Sequence, residues 1–560
     1  MNGIEIIVLI AGIIIALIIK NEHDKVTARN KLMYKLNKEW GDVPTEEFTP
    51  QKIESMYAYY NAMKREKGDV DEITWNDLDM NQIFMTINNT RSAAGEEYLF
   101  AMLHQPEFDN KKLKERNRLI EFFGSHKEER QKVQVILDRM GKMKALSVYE
   151  YMNRLSILER ENNMSHYFLM LALAIAVGVI FIQPMYGILL TVGCIVNNII
   201  QYYKRKMVIE KYFQVVSYII RLVDCAGELS DCNIKEISEY TDKLRANYKI
   251  YAPFIRGAWL VTSRNPAGSL ADMFLDYLRM IFHIDLIKFN TMMKTFEKKQ
   301  YELNEMFEVM GTLDSMIAIA SFRELMGDYC IPELTASKKP SIAAENLYHP
   351  MINDPVKNSI TEQQSVLITG SNASGKSTFI KTLAINAILA QTIDTVMADS
   401  YQASYFKVAS SMALQDNLMG QESYYIVEIK SLKRILDQLE DEIPILCFVD
   451  EVLRGTNTLE RIAASSQILL SLAKGNAICF AATHDIELTH ILENYYSNYH
   501  FQEQVVEDDV LFDYVLHTGR AVSKNAIKLL KIIGYNDKII HDATNTANEF
   551  LESGEWSIIQ

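Results

Sequence analysis

No charged side chain occurs between Tyr167 and Tyr203, a run of 37 residues. A surface helix of a globular protein carries a polar face, so a stretch without one must be covered by something other than water. Gln183-Pro184 divides the run near its middle. Proline cannot continue a helix without cost, and Gln-Pro makes a turn. The expected structure is a tight transmembrane hairpin over 166–203, its two helices roughly 16 to 19 residues each. A hairpin in the core of a soluble domain is the alternative. A second apolar run, Ile4 to Ile19, is broken only by Glu5. As a helix it spans roughly 24 Å, against a hydrocarbon core of about 30 Å. It lacks the basic start and small-residue cleavage site of a signal peptide. Residues 1–22 are therefore expected to form an uncleaved anchor, with a buried or interfacial helix as the alternative. Lys20, Lys25, Arg29 and Lys31 follow the first run, and Lys204, Arg205 and Lys206 follow the second. The positive-inside rule puts both basic flanks in the cytoplasm. The expectation is a multi-pass membrane protein with three such helices, its N-terminus outside and its C-terminal domain cytoplasmic.

The rest divides by pattern. Residues 23–165 and 204–340 read as two parts of one helical core. NPAG at 265–268 is a break, followed by a long helical stretch from about Ser269 to Met326. From residue 341 to 560 short β-rich runs (SVLIT, ILCFV, NAICFAAT) alternate with helical ones, the pattern of an α/β sheet domain. The formal charge of −14 is concentrated there. Residues 341–560 carry 15 Lys and Arg against 28 Asp and Glu, and the remainder 43 against 44. No block is basic enough to leave an electrostatic footprint for nucleic acid. The six cysteines form no CxxC pair, which argues against a zinc site.

Gly370-Ser371-Asn372-Ala373-Ser374-Gly375-Lys376-Ser377 fits the P-loop pattern GxxxxGK[ST]. The strand SVLIT precedes it and a helix beginning near Thr378 follows, as the motif requires. Such a loop turns its backbone N–H groups toward phosphates, and the helix dipole adds to the attraction. Lys376 would reach the β and γ phosphates of ATP, and the Ser377 hydroxyl would bind Mg²⁺. The apolar run ILCFV ends in Asp450 and Glu451. Asp450 suits a Mg²⁺ contact, and Glu451 a general base for the attacking water. A third strand, AICFAAT, runs into His484, which is placed to contact the γ-phosphate.

With GSNASGKSTF, DEVLRGTNT and ATHDIELT on one chain, the sequence resembles the ATPase of the MutS family of DNA mismatch-recognition proteins, within the wider ABC-type class. DEVLRGTNT (450–458) carries most of the likeness. His349-Pro350 upstream of the loop and the tail 516–540 resemble the family as well. So do residues 83–122 and 313–334, which are similar to the start and the return of its helical core, or lever. The likeness implies a dimer whose ATP sites are completed across subunits. GQESYYIVE (420–428) resembles the segment that supplies a serine in trans, here Ser423, with Thr456 and Asn457 also expected to act in trans. ATP binding would close a homodimer and hydrolysis would release it. Two departures stand out. The core begins within about 80 residues, so the domain carrying the family's Phe-x-Glu wedge is not expected ahead of it here. Val356 stands where some members place an adenine-stacking aromatic, and Tyr348 is a possible substitute. The resulting expectation is a membrane-anchored MutS-like ATPase acting on DNA. A nucleotide-driven membrane switch or scaffold without DNA is the first alternative, and a component of an ABC-type transporter the second. A transporter would need more membrane helices and an LSGGQ run.

Overall fold

The computed structural model describes residues 20–558 apart from 21, 25, 66, 156–161, 256, 258–269, 297, 338, 372–373, 413–423, 507–508, 522–526, 528–529, 531–532, 555 and 557. The apolar run 4–19 and the NPAG break lie outside the described residues. The chain forms two compact units. The first takes in the chain up to Lys64, Phe84–Met102 and Glu115–Leu325. The second takes in Arg65–Ile83, Leu103–Lys114 and the chain from Met326 onward. A single boundary near 341 does not express this, because two short segments of the helical half fold with the α/β half.

The first unit is helical. Its main elements are α1 (Ala93–His104), α2 (Lys127–Met140), α3 (Val148–Leu155), α4 (Met164–Ile180), α5 (Pro184–Ser230), α6 (Ser238–Ile255), α7 (Leu270–Phe282), α8 (Ile284–Phe296) and α9 (Gln300–Met326). Helix termini leave unpaired N–H groups, and here buried carboxylates satisfy some of them. Asp314 on α9 accepts from the amides of Arg91 and Ser92 and from the Ser92 hydroxyl, just before α1. Glu97 on α1 accepts from the Ser147 hydroxyl at 2.8 Å and the Val148 amide at 2.6 Å, where α3 begins. The helical stretch expected from about Ser269 to Met326 is built of three helices. It breaks at His283, which has φ +52°, and again after Phe296. The first break is held by tertiary hydrogen bonds of the His283 ring to His166 and to the Asn198 carbonyl. Composition around it gives no turn signal.

The charge-free run forms α4, a turn at 181–183 and the first part of α5. Among the described residues, α5 is the one helix long and apolar enough to cross a membrane, and α4 is a shorter apolar helix. Of the three helices expected to cross, the first falls on 1–22 and lies outside the described residues but for its end, and the other two correspond to α4 and the first part of α5. α5 does not stop where its apolar part ends. It runs 47 residues without interruption, about 70 Å at 1.5 Å per residue. Its last third, from Phe213, buries Val215, Val216, Tyr218, Ile219, Leu222 and Val223 in the core of the unit.

The second unit holds two sheets. One has the order β1-β5-β2-β3, from β1 (Glu333–Thr335), β2 (Ile342–Leu347), β3 (Asn358–Glu362) and β5 (Ser400–Ser404). The other contains β4 (Ser365–Thr369), β6 (Lys407–Ser411), β7 (Ile445–Asp450), β8 (Ala477–Ala482), β9 (Tyr496–His500) and β12 (His517–Thr518), in the order β12-β9-β4-β8-β7-β6. All of its pairs are parallel except β12 with β9. β4 and β8 are buried at every position, as expected of central parallel strands covered on both faces. A hairpin, β10 (Glu503–Val506) and β11 (Asp509–Phe512), lies between β9 and β12 in the chain. The helices of this unit include α10 (Lys376–Thr392), α11 (Tyr424–Leu436), α12 (Thr458–Lys474), α13 (Ile486–Ile491) and α14 (Asp537–Ser553). An edge strand exposes unpaired backbone groups and needs cover. At β6 the short helix Glu72–Asp77 supplies it. Thr74 Oγ1 accepts from the Ser410 amide, and Asp77 accepts from the Ser410 hydroxyl and the Met412 amide. That docking explains why residues 65–83 belong to this unit.

Candidate functional site

The loop between β4 and α10 turns through two glycines with positive φ, Gly370 at +147° and Gly375 at +106°. A Cβ on Gly370 would stand 2.7 Å from the Phe501 carbonyl oxygen, and one on Gly375 would stand 3.2 Å from the Tyr514 ring. Gly370 therefore requires glycine for space as well as for conformation, and Gly375 for its conformation. Gly375 caps α10, whose N-terminus points into the loop. Asn372 and Ala373 lie outside the described residues, as does Ser423. Ser374 is buried and its hydroxyl has no hydrogen-bond partner among the described residues. An orphaned hydroxyl at this point of the loop suits an external acceptor such as a phosphate. Lys376 Nζ folds over the loop and donates to the carbonyls of Gly370 at 2.8 Å and Ser371 at 2.7 Å. Burial lowers its pKa, while Asp450, Glu451 and Glu503 pull the other way.

Ser377 and Asp450 meet. The Ser377 hydroxyl donates to Asp450 Oδ2 at 2.6 Å. Burial raises the Asp450 pKa and the neighbouring Glu451 adds to it, while the Ser377 hydrogen bond opposes both. A hydroxyl and a carboxylate at this spacing fit a hard divalent cation completed by phosphate oxygens and water. Glu451 leaves the strand in the left-handed region, at φ +52°. Its amide donates to the Ala482 carbonyl on β8 at 3.0 Å. Its carboxylate lies 3.0 Å from His484 Nε2 and 2.9 Å from Arg454 Nε. The three sequence-predicted residues Asp450, Glu451 and His484 are thus brought together at the ends of β7 and β8. Thr378 lies on the first turn of α10, beside the loop.

The turn after β7 holds a second non-glycine residue in the left-handed region, Leu453 at φ +56°. For an L-residue this conformation costs about 1–2 kcal/mol. It persists because the Leu453 side chain is buried in the core of the unit and the Glu428 carboxylate accepts from the amides of Leu453 and Arg454. Glu428 sits on α11, so that helix holds the turn carrying Glu451. Asn457 caps α12 by accepting from the Glu460 amide, and the Thr456 hydroxyl donates to Glu460 at 3.3 Å.

Beside the loop lies a cavity of about 260 Å³, lined by Tyr348, His349, Ile352, Val356, Phe501 and Tyr514 among others, with Gly375 and Thr378 at one side. Asn386 on α10 fixes one wall. It donates to the Tyr348 carbonyl and accepts from the Met397 amide. Val356 does line this cavity, and Tyr348 is present, with its hydroxyl tied to the Asp328 carbonyl. Two of its aromatic rings, Phe501 and Tyr514, come from more than 120 residues downstream of the loop. Glu503, which accepts from the Ser371 hydroxyl, comes from the same region. Sequence reasoning missed these three and the part played by Glu428 and Arg454. Phe501, Glu503 and Tyr514 belong to no motif with fixed spacing.

Residues 366–551 match the MutS domain V family. The chain is 29% identical over 293 residues to the protein named MutS protein homolog 4 of Mus musculus, covering 49% of this chain and 30% of that one. It is 28% identical over 275 residues to the protein named DNA mismatch repair protein MutS of Thermotoga maritima, covering 47% of this chain and 33% of that one. With the protein of the same name from Natronomonas pharaonis it shares 29% over 253 residues, 43% of this chain and 29% of the other. The chain thus spans about a third of the length of the curated relatives it matches.

Proposed function

The chain belongs to the MutS family through its domain V at residues 366–551, and from that premise we propose that it is a membrane-attached ATPase whose nucleotide cycle opens and closes a homodimer. The observation that carries the ATPase reading is the convergence of Glu451 with His484 at 3.0 Å, next to Asp450 and Ser377 at 2.6 Å. Glu451 takes the proton of the attacking water, with His484 and Arg454 fixing the direction of its carboxylate. Lys376 turns from the loop carbonyls to the β and γ phosphates. Ser377 and Asp450 hold Mg²⁺, which when bound neutralises phosphate charge and orients the leaving group. The apolar cavity receives the base, with Phe501 and Tyr514 supplying the rings that Val356 does not. Ser423 acts in trans on the partner's nucleotide, as do Thr456 and Asn457.

Membrane attachment rests on the exposed apolar hairpin: Phe168, Phe181, Ile182, Met185 and Leu189 are each more than two-thirds exposed. Monomeric soluble proteins rarely expose an apolar patch of that extent. The basic flanks support a nucleotide unit on the cytoplasmic side. DNA near the membrane is the substrate that the names of the relatives favour. The second reading, a membrane switch without DNA, is favoured by the balanced charge of the helical half, 43 basic against 44 acidic residues before 341. ATP turnover of detergent-purified protein, with and without duplex and branched DNA, separates them. Stimulation by DNA with a steep salt dependence supports the first, and a flat response the second. Lys376→Ala protein that binds ATP normally would contradict the site itself.

A further inference from the structure

The hairpin carries more than the fact of its exposure. Its base is enclosed by a polar collar. His166 Nδ1 lies 2.9 Å from His283 Nδ1, and His283 Nε2 lies 2.9 Å from the Asn198 carbonyl. Asn198 Nδ2 donates to the Ile281 carbonyl at 3.0 Å, and the Tyr202 hydroxyl to Asp285 at 2.8 Å. The turn between α7 and α8 therefore reaches α5 at Asn198 and α4 at His166. Tyr203 with Met280, Asn163 with Ile287 and Phe213 with Phe289 make further contacts of α7 and α8 at or below that level. Above it stand Tyr167–Ile180 on α4 and Pro184–Asn197 on α5, fourteen residues each. Fourteen helical residues span about 21 Å, well short of the ~30 Å hydrocarbon core.

The tip has the wrong chemistry for water on a far side. Phe181-Ile182-Gln183-Pro184-Met185-Tyr186 has no charge, and Phe181, Ile182 and Met185 are more than 80% exposed. Backbone polar groups within hydrocarbon must be satisfied internally. At this turn the amides of Phe181, Ile182 and Gln183 donate to the carbonyls of Gly178 and Val179, Gly187 donates to Gln183, and Pro184 has no amide proton. Gly187 lets the two helices close at the tip, since a Cβ there would stand 2.3 Å from the Ile180 nitrogen. Charge returns only at the base, with Asp285 in the collar, Lys204 and Arg205 exposed just beyond it, and Lys206 half-buried with its ammonium donating to the Tyr202 hydroxyl. A basic cluster at that level matches the phosphates of an acidic leaflet.

We propose that the hairpin is a re-entrant wedge: it enters and leaves the bilayer by one face, and its tip stays among the acyl chains without reaching the opposite headgroups. This rests on the membrane reading above and fixes its depth. The test uses full-length protein in phosphatidylcholine–phosphatidylglycerol vesicles, with Cys194, Cys232 and Cys330, the free cysteines that are not buried, changed to Ser as the background and Ile182→Cys or Tyr203→Cys added. A bimane on Ile182→Cys is expected to be quenched most by spin labels deep in the acyl chains, and one on Tyr203→Cys by headgroup labels. Impermeant maleimide sealed inside vesicles whose ATPase units face outward is expected not to label Ile182→Cys. Labelling of Ile182→Cys from the lumen would overturn the wedge in favour of a full crossing, leaving membrane attachment intact. Protein that fails to float with the vesicles, and whose Ile182→Cys reacts freely in bulk water, would overturn both.

Discussion

Glu428→Ala tests whether α11 governs hydrolysis through the turn it holds. The carboxylate accepts from the amides of Leu453 and Arg454, in a turn where Glu451 and Leu453 both sit in the left-handed region. A hydrogen bond to a charged acceptor contributes about 1.5–3 kcal/mol. The alanine leaves a buried amide unpaired and gives the strained turn freedom to relax. If about 2–3 kcal/mol of order is lost where the general base is positioned, kcat falls about 30- to 150-fold. Nothing in the loop 370–377 changes, so KM stays within about twofold. Glu428→Gln keeps one oxygen acceptor without the charge and should lose only about tenfold. Steady-state ATP turnover, with binding of a fluorescent nucleotide measured separately, reads both quantities. An alanine variant turning over within about threefold of wild type would refute the coupling. So would a parallel loss of nucleotide affinity, which would point to general damage.

Other perturbations follow from the same geometry. Glu451→Gln should bind ATP normally and hydrolyse it about 10²- to 10⁴-fold more slowly, the usual range for removing a general base; rapid-quench turnover measures this. Phe501→Ala enlarges the cavity beside the loop and should raise KM for ATP about tenfold or more with kcat nearly unchanged, the mark of lost uniform binding. Glu97 gives a pH dependence in the helical unit. Burial pushes its carboxyl up to about 8, against hydrogen bonds from Ser147, Val148 and Tyr149. Between the ordinary carboxylate range and that value the folded state holds a proton the unfolded state has lost. Stability should therefore fall by up to about 1.4 kcal/mol per unit as pH rises through that window. Denaturant melts from pH 5 to 8 on wild type and Glu97→Gln check this, with a flatter profile expected for the glutamine.

The parts of the site legible in the sequence are those set by local backbone chemistry. Gly370, Gly375, Lys376 and Ser377 must recur at fixed spacing because one loop wraps one phosphate group. Asp450 and Glu451 were readable because an apolar strand ended in acids. Phe501, Glu503 and Tyr514 were not, because parallel pairing of β9 with β4 brings them to the loop from a distant part of the chain. The break at His283 was invisible for a similar reason: its ring is held by His166 and Asn198, and no local residue asks for a turn. The docking of Glu72–Asp77 on β6 also left no periodic signal, since it depends on Thr74 and Asp77 meeting Ser410 across more than 330 residues.

The unbroken run of α5 from Pro184 to Ser230 has a consequence for how such a chain can change. A helix advances about 100° of azimuth per residue. Adding or removing one residue near Lys206, between the buried end and the apolar arm, swings the arm about a quarter-turn around the core. The collar made by His283, Asn198 and Tyr202 would then face the wrong partners. Seven added residues return the arm to within about 20° of its original bearing while carrying it about 10 Å outward. That shift alone would take Asn198 and Tyr202 out of reach of His283 and Asp285, so the collar fixes the length of this helix as well as its phase.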